Sequence, residues 1–486
     1  MSGSSSNANT IFNNLVWRML ERFGAQGVTF IVSIVLARIL DPKVYGIVAI
    51  VSIFTTILQV FVDSGLGCAL IQKKNSDSLD FSTVFYFNIF FSLLLYIIIF
   101  CLAPIIAGFY NNSDLTLVLR VSSCSLLISG LKNVQQAFVS KHMIFKKFFF
   151  ATLFGTIGAA VLGITMAISG YGVWALVAQN LFNITIDTIV LWITVKWRPT
   201  LEFSFSRLFS LFKYGWKLLV ASLVEVVYTD VSQLIIGKKY SESDLAYFNK
   251  GKQFPNFITT NINSSIKMVM FPVMSNEQDD KPRLKEITRK SITIGAYIIM
   301  PMLTGLAAIS DNFVSVLLTD KWLFCVPYLQ IFCFSLLLQP LQTANKSAIK
   351  AIGKSDLFLV IEIVIRLFGI LAIIISMQFG VIYIALSMLF TAVFEQIILA
   401  IPNKKFLNYG LFEQLKDILP SLLMSSAMFA CVYPLKFIEI NKIVILLVQV
   451  LLGIVFYFSL SLLTRNKTLN YLFLFAKSKL KNGKSK

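Results

Sequence analysis

Histidine occurs once in the 486 residues, at His142, and the six cysteines (Cys68, Cys101, Cys124, Cys325, Cys333, Cys431) are scattered without CxxC or Cys/His spacing. A Ser/His/Asp site, a histidine metal centre or a paired redox site therefore has no residues to build it, and no cofactor is expected. The cysteines read as small apolar residues, and His142 as a solvated member of a basic stretch. Charge is scarce too, at 14% of the chain against roughly 25% in a soluble globular protein. Acidic residues are the rarer sign, 24 against 43 basic, which leaves a formal charge of +19. Met1 to Asn14 carries no basic stretch ahead of the first apolar run, so a cleaved signal peptide is not expected. No connection is long enough to fold as a separate catalytic domain, and an enzyme is not expected.

Apolar sequence is what the chain has in abundance, 57% of all residues, in runs such as Phe85 to Phe100, Phe148 to Ile168 and Ile443 to Leu463. Each approaches the roughly 20 residues that a spanning helix needs. The fold class this implies is all-α, a polytopic transmembrane helix bundle of about 14 spans. The excess positive charge fits that reading better than a nucleic-acid partner, because it alternates. With the N-terminus inside, even-numbered connections carry Lys73 and Lys74, Lys141 to Lys147, Lys196 to Lys217, Lys281 to Lys290, Lys346 to Lys354, Lys404 to Lys416 and a basic tail. The odd-numbered connections hold only Arg38, Lys43, Lys238, Lys239, Lys321, Lys436 and Lys442. This asymmetry places both termini in the cytoplasm. The connections around Lys196 to Phe212 and Ser275 to Glu286 read as amphipathic cytoplasmic linkers.

An internal repeat is visible. Trp17-Arg18-Met19-Leu20 opens span one and Trp216-Lys217-Leu218-Leu219 opens span seven, while Ala37-Arg38 followed by Tyr45 is echoed by Gly237-Lys238 followed by Tyr247. Six intervening spans give the halves the same orientation, related by an axis along the membrane normal. The expected organisation is two pseudo-symmetric six-helix lobes, 1–205 and 206–405, then spans thirteen and fourteen at 406–465 and a basic cytoplasmic tail at 466–486.

Polar residues inside the spans fall on stripes. In span eight, Asn249, Gln253, Asn256, Thr260, Asn263 and Lys267 follow at steps of four, three, four, three and four, one face of a helix, with Lys250 beside it. Span one offers Arg18, Arg22, Gln26, Thr29 and Ser33; span two, Ser52, Thr56, Gln59 and Asp63; span seven, Ser222, Glu225, Thr229 and Ser232. Polar groups in hydrocarbon face a bundle interior or a wet cavity. The stripes therefore suggest a hydrophilic cavity whose cations suit a phosphate or pyrophosphate. The same residue types also serve as hydrogen-bonding glue between helices, and Arg18 and Arg22 can snorkel to the surface or pair with Glu21. Glu362 and Arg366, at i and i+4, read as an internal ion pair. Asp187 and Glu395 have no evident partner in the sequence, which leaves protonation coupling open for either.

Several of these residues carry a resemblance. Leu36 to Gly46, Asp63-Ser64-Gly65-Leu66-Gly67 with Ala69-Leu70-Ile71-Gln72, and Lys321-Trp322 resemble the oligosaccharide flippases of O-antigen, capsule and teichuronic-acid pathways. Those proteins form a branch of the multidrug/oligosaccharidyl-lipid/polysaccharide exporter superfamily, and the likeness covers nearly the whole chain. Tyr247, Lys250, Gln253, Pro255, Pro272 and Ser275 are similar to the lipid II flippase pattern, with Lys250 where that relative has a cavity arginine that contacts the lipid pyrophosphate. The lipid II flippases also have an arginine six residues before the equivalent of Arg38, and this chain has Val32 there, so Arg18 and Arg22 are not carried over by position. The resemblance implies a bacterial inner-membrane transporter that flips undecaprenyl-pyrophosphate-linked glycan by alternating access for lipopolysaccharide, O-antigen or capsule synthesis. It further implies a polysaccharide polymerase and chain-length proteins as partners. A multidrug or cation antiporter of the same superfamily would need an acidic, aromatic lining, and a polysaccharide polymerase or glycosyltransferase a long extracytoplasmic loop; neither feature is present.

Overall fold

A computed structural model describes residues 24, 26–63, 65–73, 75–142, 144–438, 440–466, 468–471 and 473, without the side chains of 145–151, 214, 269 and 355. The regular structure of the described residues is helical, with no β-strand. In order they form α1 (Gln26–Ile39), α2 (Pro42–Asp63), α3 (Leu66–Gln72), α4 (Ser78–Tyr110), α5 (Asp114–Ser122), α6 (Cys124–Lys141), α7 (Phe145–Ile168), α8 (Val173–Thr194) and α9 (Phe205–Lys239). Then come α10 (Glu242–Asn276), α11 (Lys281–Leu318), α12 (Val326–Ser335), α13 (Gln339–Ala351), α14 (Ser355–Ser376), α15 (Val381–Leu407), α16 (Leu411–Val432) and α17 (Lys442–Leu463). Among the described residues, eleven segments are long and apolar enough to cross a membrane, and Gln26–Ile39 and Thr152–Ile168 are shorter apolar helices. The 35-residue α10 stays outside that set because of its polar face.

The chain divides into two compact units, Met1–Ala246 and Tyr247–Lys486. Packing groups α9 with the first unit, on α2, α3 and α4; the repeat, a matter of sequence, had assigned it to the second lobe. Two-residue breaks separate α1 from α2 and α9 from α10, at 40–41 and 240–241, so the repeated motifs share a helix–break–helix form. Gly46 lies against the start of α10, where a Cβ would land on the carbonyl of Glu242.

Outward surfaces are apolar because lipid is their solvent. Phe90, Ile97 and Ile105 on α4, Leu359 and Ile363 on α14, and Leu451 and Val455 on α17 are all exposed. Lipid tails are as apolar as leucine, so such helices are held by close packing and polar bonds rather than by hydrophobic burial. The reverse case is α11, the most buried span of the second unit, where Tyr297 packs with Met424, Met428 and Tyr457.

Three expected spans are not single helices. Span two breaks between α2 and α3, where Gly65 takes a left-handed φ of 66° and a Cβ would strike the carbonyl of Gly215 on α9. Only glycine meets both demands without strain. Span four breaks at Ser123 between α5 and α6, and span ten passes through a 3-10 turn at Leu336–Leu338. The expected linkers are helical only in part: 205–212 belong to α9, and 275–276 and 281–286 to α10 and α11, while 196–204 and 277–280 are irregular. Asp280 caps α11 by accepting from the Arg283 N–H at 3.0 Å, with Pro282 in the first turn, as helix starts favour.

The connection from α8 to α9 is pinned to α4. Thr200 N–H donates to Ser82 Oγ at 2.9 Å and Ser204 N–H to Thr83 Oγ1 at 3.2 Å. Arg207 reaches the fully buried Asp80 at 3.2 Å, which also receives Lys73 at 2.6 Å. Asp77 and Asp80 form a reciprocal capping box on α4, the arrangement that satisfies two orphan donors of a helix start.

Candidate functional site

In the first unit, the expected stripe on α2 lines open space. Gln59 and Asp63 border a recess of about 440 Å³ whose other walls come from α6 and α8, through Lys132, Asn133, Gln136 and Asn180. A second recess of about 330 Å³ shares Asp63, Asn133 and Gln136 and extends to Ser222 on α9. Asp63 Oδ1 accepts from Gln59 Nε2 at 3.0 Å and from Asn133 Nδ2 at 2.6 Å. Lys132 meets Asp187 at 3.5 Å, so Asp187 has an ion-pair partner 55 residues away in the chain.

Lys132, Asn133, Gln136 and Asn180 were missed in the sequence. A signal existed: Ser125, Ser129, Lys132, Gln136 and Ser140 are spaced four, three, four and four apart, and Asn180, Asn183 and Asp187 three and four apart. Both are helix-face patterns of the kind read on span eight.

The other first-unit candidates are dispersed. Arg18 and Arg22 lie outside the described residues, Thr29 and Ser52 are exposed, and Ser33 bonds its own backbone at Phe30, whereas Thr56 lines the recess with Gln59 and Asp63. On α9, Glu225 and Thr229 are exposed, with Thr229 Oγ1 donating to the Glu225 carbonyl at 2.8 Å, and Ser232 is buried. Val32 packs with Leu36, Leu40, Ala160, Ala167 and Ala175, an apolar setting in which the arginine of the lipid II flippases would have no place.

In the second unit, the stripe on α10 is divided among several environments. Asn249, Gln253 and Asn256 are half-buried, and Thr260 and Lys267 are exposed. Asn263 is buried and donates to Gln339 Oε1 at 3.0 Å, joining α10 to α13. Lys250 is 5% exposed, with its ammonium 5.7 Å from the centre of the Trp322 ring. That contact gives physical content to the Lys321-Trp322 motif: Trp322 is fully buried, edge-on to Tyr247, and its face attracts a cation.

The Glu362–Arg366 pair is present at 3.4 Å as part of a larger network. Lys346 on α13 bridges Glu362 on α14 and Glu395 on α15, each at 2.7 Å. Glu395 is thereby paired as well. Further polar contacts tie helices to one another: Gln414 exchanges bonds with Asn345 at 2.9 and 3.1 Å and accepts from Gln396 at 2.8 Å, and Asn312 donates to Gln449 at 3.1 Å. Among the described residues there is no group of three or more His, Cys, Asp or Glu that could hold a metal ion.

Comparison with known proteins places this architecture. The chain is 25% identical over 308 residues to the teichuronic acid biosynthesis protein TuaB of Bacillus subtilis, a match that covers 62% of this chain and 63% of that protein. It is 22% identical over 329 residues to the succinoglycan biosynthesis transport protein ExoT of Rhizobium meliloti, covering 68% and 67%. The chain thus spans about two thirds of the length of these curated relatives. Its fold is that of the lipid II flippase MurJ in an inward closed conformation, with a TM-score of 0.77, 16% identity, and coverage of 93% of this chain and 99% of that one. A profile of the family described as polysaccharide biosynthesis protein matches residues 35–327. Because that match takes in well over half of its length, this integral multi-pass membrane protein belongs to the polysaccharide biosynthesis protein family.

Proposed function

We propose that this protein is a flippase that carries a polyprenyl-pyrophosphate-linked oligosaccharide repeat unit from the cytoplasmic to the outer leaflet for cell-surface polysaccharide synthesis. The observation that carries the reading is the recess beside Asp63 in the first unit: a surface of amides, hydroxyls and charges on helices that otherwise present apolar side chains. Polar surface of this kind at bilayer depth marks a substrate path. The charge asymmetry of the connections supports a bacterial cytoplasmic membrane location with both termini inside. Undecaprenyl pyrophosphate is the carrier the family resemblance supports, and a polysaccharide polymerase is the partner that would use the delivered unit.

Two matched six-helix lobes with two added C-terminal helices would give the chain the repeat-built organisation of alternating-access transporters. Lys250, held over Trp322, is the cation that the resemblance assigns to the pyrophosphate, and Lys267, exposed and about 25 Å further along α10, would meet it at a different stage of transport. Replacing both lysines with Gln should leave the protein inserted while lipid-linked repeat units accumulate in the inner leaflet. Normal surface polymer from cells with the double variant would remove the lysines from the mechanism. Normal polymer in a strain lacking the gene, with no redundant exporter, would remove the function itself.

A further inference from the structure

The recess beside Asp63 has three properties that together select a ligand. The first is size. Its volume of about 440 Å³ sits near the lower end of the roughly 300–1,000 Å³ of ligand pockets, room for a sugar ring rather than for a whole repeat unit. The second is unused hydrogen-bonding capacity. Gln136 and Asn180 line the recess and make no side-chain hydrogen bond among the described residues. Each amide presents a donor and an acceptor side by side, which matches neighbouring ring hydroxyls that both give and take. Thr56 and Ser129 add hydroxyls to the same wall.

The third property is charge. Lys132 is engaged with Asp187, whereas Asp63 receives only the neutral amides of Gln59 and Asn133, both on Oδ1. Its Oδ2 accepts nothing among the described residues. The wall itself carries one carboxylate, Asp63, and one ammonium, Lys132, and because Asp187 behind the wall engages that ammonium, Asp63 faces the recess as a carboxylate without a salt bridge of its own among the described residues. Such an acceptor favours hydroxyl or amine donors and repels another carboxylate.

We propose that this recess seats one uncharged or amine-bearing sugar of the lipid-linked glycan, with Asp63 Oδ2 accepting its hydrogen bonds and turning away acidic sugars. The inference rests on the flippase reading and deepens it: Asp63, Gln136 and Asn180 of the first unit read the sugar.

The test uses the full-length protein in liposomes with three short-chain polyprenyl-pyrophosphate probes: one without sugar, one headed by N-acetylglucosamine and one headed by glucuronic acid. The neutral sugar should cross roughly tenfold faster than the acidic one, within the range that hydrogen-bonding sites reach. Asp63→Asn should shrink that ratio roughly fivefold, mainly by speeding the acidic probe. Gln136→Ala and Asn180→Ala should raise KM for the neutral-sugar probe while kcat holds, with a smaller change for the sugar-free probe. If Asp63→Asn fails to insert, these two variants decide the matter. Equal rates for the two sugars in the natural protein, or equal loss on both in Asp63→Asn, would overturn the proposal while leaving the flippase reading in place. A natural protein that moves none of the three probes overturns both.

Discussion

The two units use the same kinds of polar residue in opposite ways. In the first unit, Asp63, Asn133, Gln136 and Asn180 border empty space. In the second, Asn345, Gln396 and Gln414 bond one another, Asn312 bonds Gln449, and Lys346 bridges two glutamates. A polar stripe on a spanning helix thus becomes a binding wall or a fastening according to what lies across from it. Function would then concentrate where fastening is incomplete.

The contrast is best tested by removing its largest element. Among the described residues, Lys346→Met strands Glu395 and leaves Glu362 with only Arg366, at 3.4 Å, where α13, α14 and α15 meet. Breaking a buried pair costs about 3–5 kcal/mol, and since these side chains are 17–28% exposed the lower end applies. Lys132→Met in the first unit strands one carboxylate from a contact of 3.5 Å and should cost clearly less. Thermal unfolding of the two variants in detergent checks the order, and equal losses would erase the distinction between the units.

A second pair isolates the amides. Gln414→Leu leaves Asn345, Gln396 and the Tyr409 carbonyl short of partners, a loss of about 1–3 kcal/mol. Gln136→Leu, which removes no observed bond, should stay within about 0.5 kcal/mol while transport suffers. If stability and transport fall together in both variants, Gln136 is a fastening too.

The smallest effect belongs to the N-terminal cap of α4. The Asp80 N–H donated to Asp77, with Arg207 3.3 Å away, holds the Asp77 carboxyl below its usual range. A carboxyl lowered in the folded state adds stability above its unfolded pKa and loses it as pH falls through the folded value. Asp77→Ala should therefore cost about 1 kcal/mol near neutrality, less at high salt. The gap from the natural protein should close only on acidification below the ordinary aspartate range. A gap that persists unchanged in strong acid would assign the effect to something other than the carboxylate.

Much of this was legible in the chain. The apolar runs announce spanning helices, and the spacing from Asn249 to Lys267 correctly predicts one helix with one polar face. Asp63 and Gln59 stood out because they interrupt an apolar span. What stayed hidden depends on partners distant in sequence. Asp187 looked alone because Lys132 is 55 residues away, and Glu395 because Lys346 reaches it from another helix. Periodicity shows that residues share a face but not whether that face meets another helix or an opening. Lys132 and Asn180 went unremarked for that reason, and Asn263, on the same stripe as Lys267, is bound to Gln339.

The seam where Gly65 rests on the Gly215 carbonyl has a consequence for how such proteins diversify. Neither backbone can retreat without dragging α3 away from α9, so almost no substitution is open at Gly65. On other helices, Gln136 and Asn180 can change without disturbing any observed bond among the described residues. If the recess reads the cargo as proposed, its amides are where specificity can be retuned, while Gly65 keeps α3 seated on α9.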